Sequence, residues 1–312
     1  MRERAMVPEP EFESYYGRQI IKTPTWKTPD VPLYLFLGGM AGGSALLAEG
    51  AALQGLPALE RVARSAAAAG AAAGTVALIH DLGRPERFLN MLRVLKPTSP
   101  LSVGSFILAP FGGLSAAALA SHLTGRLPRL GRLAGAGAGT LGAPLATYTA
   151  ALVANTAVPA WHEAHRELPF VFAGSGAQAA GGIAMVLVPV GQSAPARRMA
   201  IAGAVTEMIA AEAITRRRGL VAEPYRKGRP GRLMRAARVG ALAASALTVL
   251  AGRRRSVSVA AGLTYVAASL ATRFGVFEAG LASARDPKYT VVPQRERLAR
   301  AQDGTHRATM NR

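Results

Sequence analysis

The chain contains no cysteine. Thiolates ligate ordinary iron–sulfur clusters, attach c-type haem and form disulfides, so this chain carries none of these, and any thiolate-bound redox centre must belong to another subunit. Charge is also scarce, at 18% of 312 residues, while half of the residues are apolar. Acid is scarcer still: 18 Asp and Glu stand against 37 Lys and Arg, a formal net charge of +19. In a soluble chain that excess would point to nucleic acid, but no basic face is interleaved with aromatics, which make up only 6% of the residues. The arginines fall between long apolar runs, where they serve as topology signals and lipid-headgroup contacts. The polar N-terminus does not resemble a cleavable signal peptide. These features exclude nucleic acid as a partner and point to an all-α integral membrane protein whose partner is the lipid bilayer.

Eight apolar runs are expected to span, over residues 31–53, 62–82, 101–123, 133–156, 169–190, 198–215, 233–252 and 256–278. Each is long enough for a bilayer at ~1.5 Å per residue. They form a membrane domain over residues 31–280, between a polar cap (1–30) and a polar, partly disordered tail (281–312). The cap carries Glu9, Glu11, Glu13, Tyr15, Tyr16, Arg18, Lys22, Trp26 and Lys27 among prolines and reads as an extended segment lying against something else. Pro32 is followed at seven residues by Gly39, and Pro169 at seven by Gly176, each opening a span from the same side, which suggests two four-helix bundles in parallel relation. With these spans, 26 Lys and Arg lie on the side of the termini and 10 on the other, Arg273 uncounted. The positive-inside rule then places both termini in the cytoplasm and the chain in the inner (cytoplasmic) membrane.

The most specific polar stretch runs from His80 to Ser105. Gly83 followed by Arg84-Pro85 is a helix stop, with Gly as the left-handed residue and Pro unable to continue the turn. Residues 87–95, apolar at Phe88, Met91, Leu92 and Leu95, predict a short helix in the membrane interface. A second polar stretch, 158–169, falls on the same side. Its His162-Glu163-Ala164-His165 is not the HExxH zinc motif, because its histidines are three apart, and no metal site is expected there. A membrane b-haem needs two histidines at one depth, whereas His80 and His122 end spans on opposite sides, separated by ~30 Å of hydrocarbon.

His80-Asp81-Leu82-Gly83-Arg84-Pro85-Glu86-Arg87-Phe88, followed by Pro97-Thr98-Ser99-Pro100-Leu101-Ser102-Val103-Gly104, resembles the NrfD family, the membrane-anchor subunit of polysulfide reductase-like and related molybdoenzyme complexes. The opening from Pro32 to Ser44 is similar to the start of that family's first helix. The resemblance implies a haem-free anchor that exchanges electrons between membrane quinone (menaquinone or ubiquinone) and a ferredoxin-like iron–sulfur subunit. That subunit in turn serves a molybdopterin-containing catalytic subunit in a respiratory electron-transport chain. Of the family motif, Asp81, Gly83, Arg84 and Pro85 carry over to this chain.

Quinone reduction consumes two protons, so a carboxylate or imidazole must stand next to the ring carbonyls, and an Arg or Tyr can polarise the oxygens. The candidates are Asp81, His80, Arg84, His162, Glu163 and His165, with Tyr34 and Trp161 beside Asp81 and Arg84 as residues lining the ring. Asp81 and Arg84 can also be read as an interfacial ion pair that fixes the loop. Glu49, Glu207, Glu212 and Glu278 are costly at membrane depth unless protonated, paired or hydrated, and are read either as a proton path or as partners of arginines, Arg273 with Glu278 among them. The competing class is a transporter or proton-conducting subunit without quinone chemistry.

Overall fold

The computed structural model describes residues 19–84, 86–217, 219–251 and 253–310, and the first 18 residues of the cap lie outside it. Long helices α1 (Asp30–Leu53) and α2 (Pro57–Asp81) are followed by one turn, α3 (Arg87–Asn90), then by α4 (Pro100–Thr124) and α5 (Pro128–Ala154). A short α6 (Pro159–Glu163) leads into α7 (Leu168–Leu187), α8 (Ala194–Arg217), α9 (Gly228–Ala251), α10 (Arg255–Arg285) and α11 (Lys288–Met310). No strand occurs among the described residues. Among the described residues, six helices are both long and apolar enough to cross a membrane: α1, α2, α4, α7, α9 up to Leu250, and α10. Two further helices, α5 and α8, have 27 and 24 residues and reach bilayer length. Both are less apolar, α5 through its glycines and threonines and α8 through Arg197, Arg198, Glu207 and Glu212.

Proline opens several of these elements, at the first or second position of α2, α4, α5, α6 and α7, where the missing N–H leaves no intrahelical bond unmade. Ser99 caps α4 by accepting from the Ser102 N–H. Gly83 takes a φ of 68° just past α2, the left-handed stop expected there.

Close helix approach rests on glycine. A Cβ on Gly39 would meet Gly176 Cα at 3.4 Å, one on Gly42 the Gly142 carbonyl oxygen at 2.3 Å, and one on Gly182 the Gly262 carbonyl oxygen at 2.8 Å. These contacts join α1 to α7, α1 to α5 and α7 to α10. The helices also pair as α1 with α2, α4 with α5, α7 with α8 and α9 with α10.

Two segments depart from the sequence reading. Only Arg87–Asn90 is helical within 87–95, because the Ser102 hydroxyl donates to the Val94 carbonyl (3.2 Å) and accepts from the Lys96 N–H (3.0 Å), fixing that backbone outside a helix. The C-terminal segment is helical, as α11, in place of a partly disordered tail. Residues 20–29 of the cap run without helix or strand across the ends of α1, α2 and α6, where they act as a strap.

Candidate functional site

The strap, the C-terminal end of α2, α6, the 219–225 segment and α11 all meet at one end of the helices. The Asp81 carboxylate accepts the Lys27 backbone N–H at 2.8 Å, and Lys27 Nζ donates to the His80 carbonyl at 3.2 Å. His80 Nδ1 lies 2.7 Å from the Asp30 carboxylate. The end of α2 therefore latches the strap over the start of α1. The expected Asp81–Arg84 ion pair does not form among the described residues: Asp81 is turned to the strap, and Arg84 is exposed. Pro85 and the Arg87 side chain lie outside the described residues.

One residue before the latch, Trp26 stacks on Trp161 at 5.6 Å between ring centroids, and Phe277 closes the group at 5.8 Å from Trp161. Trp161 is fully buried, and its indole N–H donates to the Val276 carbonyl at 2.8 Å. Gly280 makes room for it, since a Cβ there would fall 1.8 Å from Trp161 Cε2. Tyr34 is likewise buried, beside Gly74 in the α1–α2 interface. Both aromatics expected to line a quinone ring are thus core residues, and neither lines the cavity next to α6.

That cavity measures about 440 Å³ and is bounded by Ile20 and Ile21 of the strap, His162 and Glu163 of α6, and Tyr289 and Arg297 of α11. A small-molecule site of ~300–1,000 Å³ with apolar walls and a few convergent polar groups has this character. His162 Nδ1 lies 3.2 Å from the Ala154 carbonyl and His165 Nδ1 3.0 Å from the His162 carbonyl. A carbonyl can only accept, so each Nδ1 carries its proton and Nε2 is left to exchange one. Glu163 pairs with Arg297 at 3.3 Å.

Sequence reasoning missed Lys27 and Asp30 as latch residues, Arg297 as the partner of Glu163, and Tyr225, whose buried hydroxyl donates to the Ala160 carbonyl at 3.0 Å and holds α6 from beneath. Burial pushes the Tyr225 phenol above its ordinary range, so it acts as a fixed donor. The Trp and Lys of a proline-rich cap were the only signals available.

Of the four acidic residues read as a path, Glu207 and Glu212 line one cavity beside α8, whereas Glu49 and Glu278 are paired elsewhere. Glu49 pairs with buried Arg64 at 3.0 Å; Arg64 also meets Glu60 at 2.8 Å, and His122 lies 3.4 Å from Glu60, all toward the far end. Glu207 is buried and accepts from the Thr272 hydroxyl. Glu212 is held by Arg216 and Arg238, and Glu278 by Arg229 at 3.4 Å. Arg273 does not neutralise Glu278. It is fully buried, donates to the Phe172 carbonyl at 2.6 Å and lies over the Phe172 ring.

No group of three or more His, Asp or Glu side chains among the described residues is arranged to hold a metal ion. No curated protein matches the chain. The family model described as "Polysulphide reductase, NrfD" matches residues 21–215, which take in the strap from Ile21 on, the latch, α6 with His162, and His165 beyond it. A match over that share of the chain, on an all-helical body with several membrane-long apolar helices, shows that this multi-pass membrane protein belongs to the NrfD family.

Proposed function

We propose that this chain is the membrane anchor and quinone-interacting subunit of a multi-subunit oxidoreductase, passing electrons between membrane quinone and an iron–sulfur subunit that serves a molybdopterin catalytic subunit. It crosses the cytoplasmic membrane eight times as two four-helix units, with both termini in the cytoplasm. Three features support that arrangement: the pairing of α1 with α2 and α5, and of α4 with α5, recurs as α7 with α8 and α10, and α9 with α10; Gly39 meets Gly176; and Lys and Arg concentrate at the strap end. In this reading the chain holds no haem or cluster of its own.

The observation that carries the site is the cavity between the strap, α6 and α11, where His162 and Glu163 face the same space. The reaction adds two electrons, delivered by the partner, and two protons to the quinone, and the reverse reaction removes them. His162 exchanges a proton at Nε2, and Glu163 takes or returns one at its carboxylate while Arg297 holds it in place. Asp81, committed to the Lys27 N–H, positions the strap wall of the cavity. His80 and Arg84 lie outside the reaction, Trp161 supports the wall from the core, and Tyr34 stays in the α1–α2 interface. Binding of a quinone analogue to the assembled complex tests the site. His162→Ala should weaken binding about tenfold or more, a loss comparable to one good polar contact. Unchanged affinity would move the quinone elsewhere.

Buried Glu207, beside Thr272 and within the field of Arg273, favours a second reading in which the chain conducts protons. Proteoliposomes holding the chain alone should then dissipate a pH gradient, and Glu207→Gln should abolish that leak.

A further inference from the structure

A cavity of about 540 Å³ opens between the C-terminal half of α8, the 219–225 segment and the first turns of α9. Four guanidinium groups line it, those of Arg216, Arg226, Arg235 and Arg238, against two carboxylates, Glu207 and Glu212. Glu212 is already shared by Arg216 at 2.6 Å and Arg238 at 2.9 Å. Arg226 donates to the Thr215 carbonyl and Arg235 to the Arg226 carbonyl at 3.1 Å, and no carboxylate pairs with either among the described residues. Carbonyls satisfy N–H groups but cancel no charge, so the cavity keeps a cationic surplus.

Met208, Ala211 and Met234 give it an apolar stretch of wall, with Thr215 and Tyr225 completing the lining. On the same helices, within one or two turns of Glu212 and Arg238, Val205, Ile209, Val239 and Leu242 are exposed. In a membrane protein such faces meet acyl chains. A cluster of guanidinium groups beside them matches a phosphate in geometry and in sign, because the planar fork binds phosphate oxygens two at a time. A soluble phosphate would meet the charge but leave the apolar groove unmatched, whereas a phospholipid meets both.

From this juxtaposition we propose that the α8–α9 cavity is a binding site for an anionic phospholipid. Its phosphate is held by Arg235 and Arg238 with Arg216 and Arg226 beside them, and its acyl chains lie along the exposed faces of α8 and α9. The site shares no residue with the His162 cavity and does not depend on the quinone reading.

The test uses the full-length protein in phosphatidylcholine nanodiscs doped with phosphatidylglycerol, with the lipid retained on release measured by native mass spectrometry. Phosphatidylglycerol should be enriched over phosphatidylcholine. Loss of two arginines in R235Q/R238Q should lower that enrichment about tenfold or more, while R253Q/R254Q, two exposed arginines at the opposite end, should leave it unchanged. Equal enrichment in R235Q/R238Q and the parent, or an equal loss in R253Q/R254Q, would overturn the site. Displacement of the lipid by inorganic phosphate would assign the arginines to a soluble anion and overturn the lipid reading. A211F fills the apolar wall with every charge in place, so it decides the matter if the arginine variant does not fold. It should lower retention as well, and unchanged retention there would contradict the proposal.

Discussion

Single residues decide how tightly the strap end is built. Gly280 lies against the Trp161 ring with no space for a methyl group, so Gly280→Ala must displace either a buried indole that is also hydrogen-bonded or the backbone of α10. We expect a loss of about 1–3 kcal/mol, the usual cost of overpacking, seen as a lower thermal midpoint of the purified protein. Gly191, beside which a Cβ would meet nothing, should accept substitution without such a loss. At this scale the sequence was only partly legible. Charged residues inside apolar runs announced that they needed partners, but which partner is a matter of helix phase. Arg273 and Glu278 are five apart, which sets them about 140° apart around α10, so they face different neighbours. Arg273 turns to Phe172 and Glu278 to Arg229. The Asp81 latch was hidden for a different reason: its partner is the Lys27 backbone N–H, which no side-chain pattern reveals.

Among the elements, the long helices were legible because apolar runs, prolines at their starts and Gly83 at a stop are local signals. The strap and α11 were not, since their contacts are long-range. Trp26 finds Trp161, and Arg297 finds Glu163, far along the chain. Glu223 helps tie α11 down, pairing with Lys227 at 2.7 Å and Lys288 at 3.5 Å. The hydrogen bond from Lys227, and after it the charge of Lys288, hold its carboxyl below the ordinary value of 4.5. A depressed carboxylate stabilises the fold above its ordinary pKa and loses that contribution as pH falls through its folded value. Glu223→Gln should therefore speed amide hydrogen exchange in residues 288–297 at neutral pH, and the difference from the parent should vanish under acid conditions below that range. An equal difference at both pH values would show that the tie is not ionic.

For the whole molecule, the all-helical membrane class and the family were legible from composition and from the motif around Asp81, while the cavity was not, because it forms only where the strap, α6 and α11 converge. Orientation can be tested directly in a thiol-free chain: Gly191→Cys should react with an impermeant reagent added outside the cell, and Ala299→Cys should not. The reverse pattern would invert the topology. The central claim is that quinone exchanges its protons in the His162–Glu163 cavity, with Asp81 serving only to hold the strap. The measurement is quinone-linked turnover per assembled complex, with an artificial acceptor at the catalytic subunit as control. Glu163→Gln should lower turnover about 100-fold while the control is unchanged, as expected for loss of a general acid–base group. Asp81→Asn, which keeps an acceptor for the Lys27 N–H, should turn over at close to the parent rate. A collapse in Asp81→Asn together with normal turnover in Glu163→Gln would contradict the account and place the proton chemistry at the end of α2.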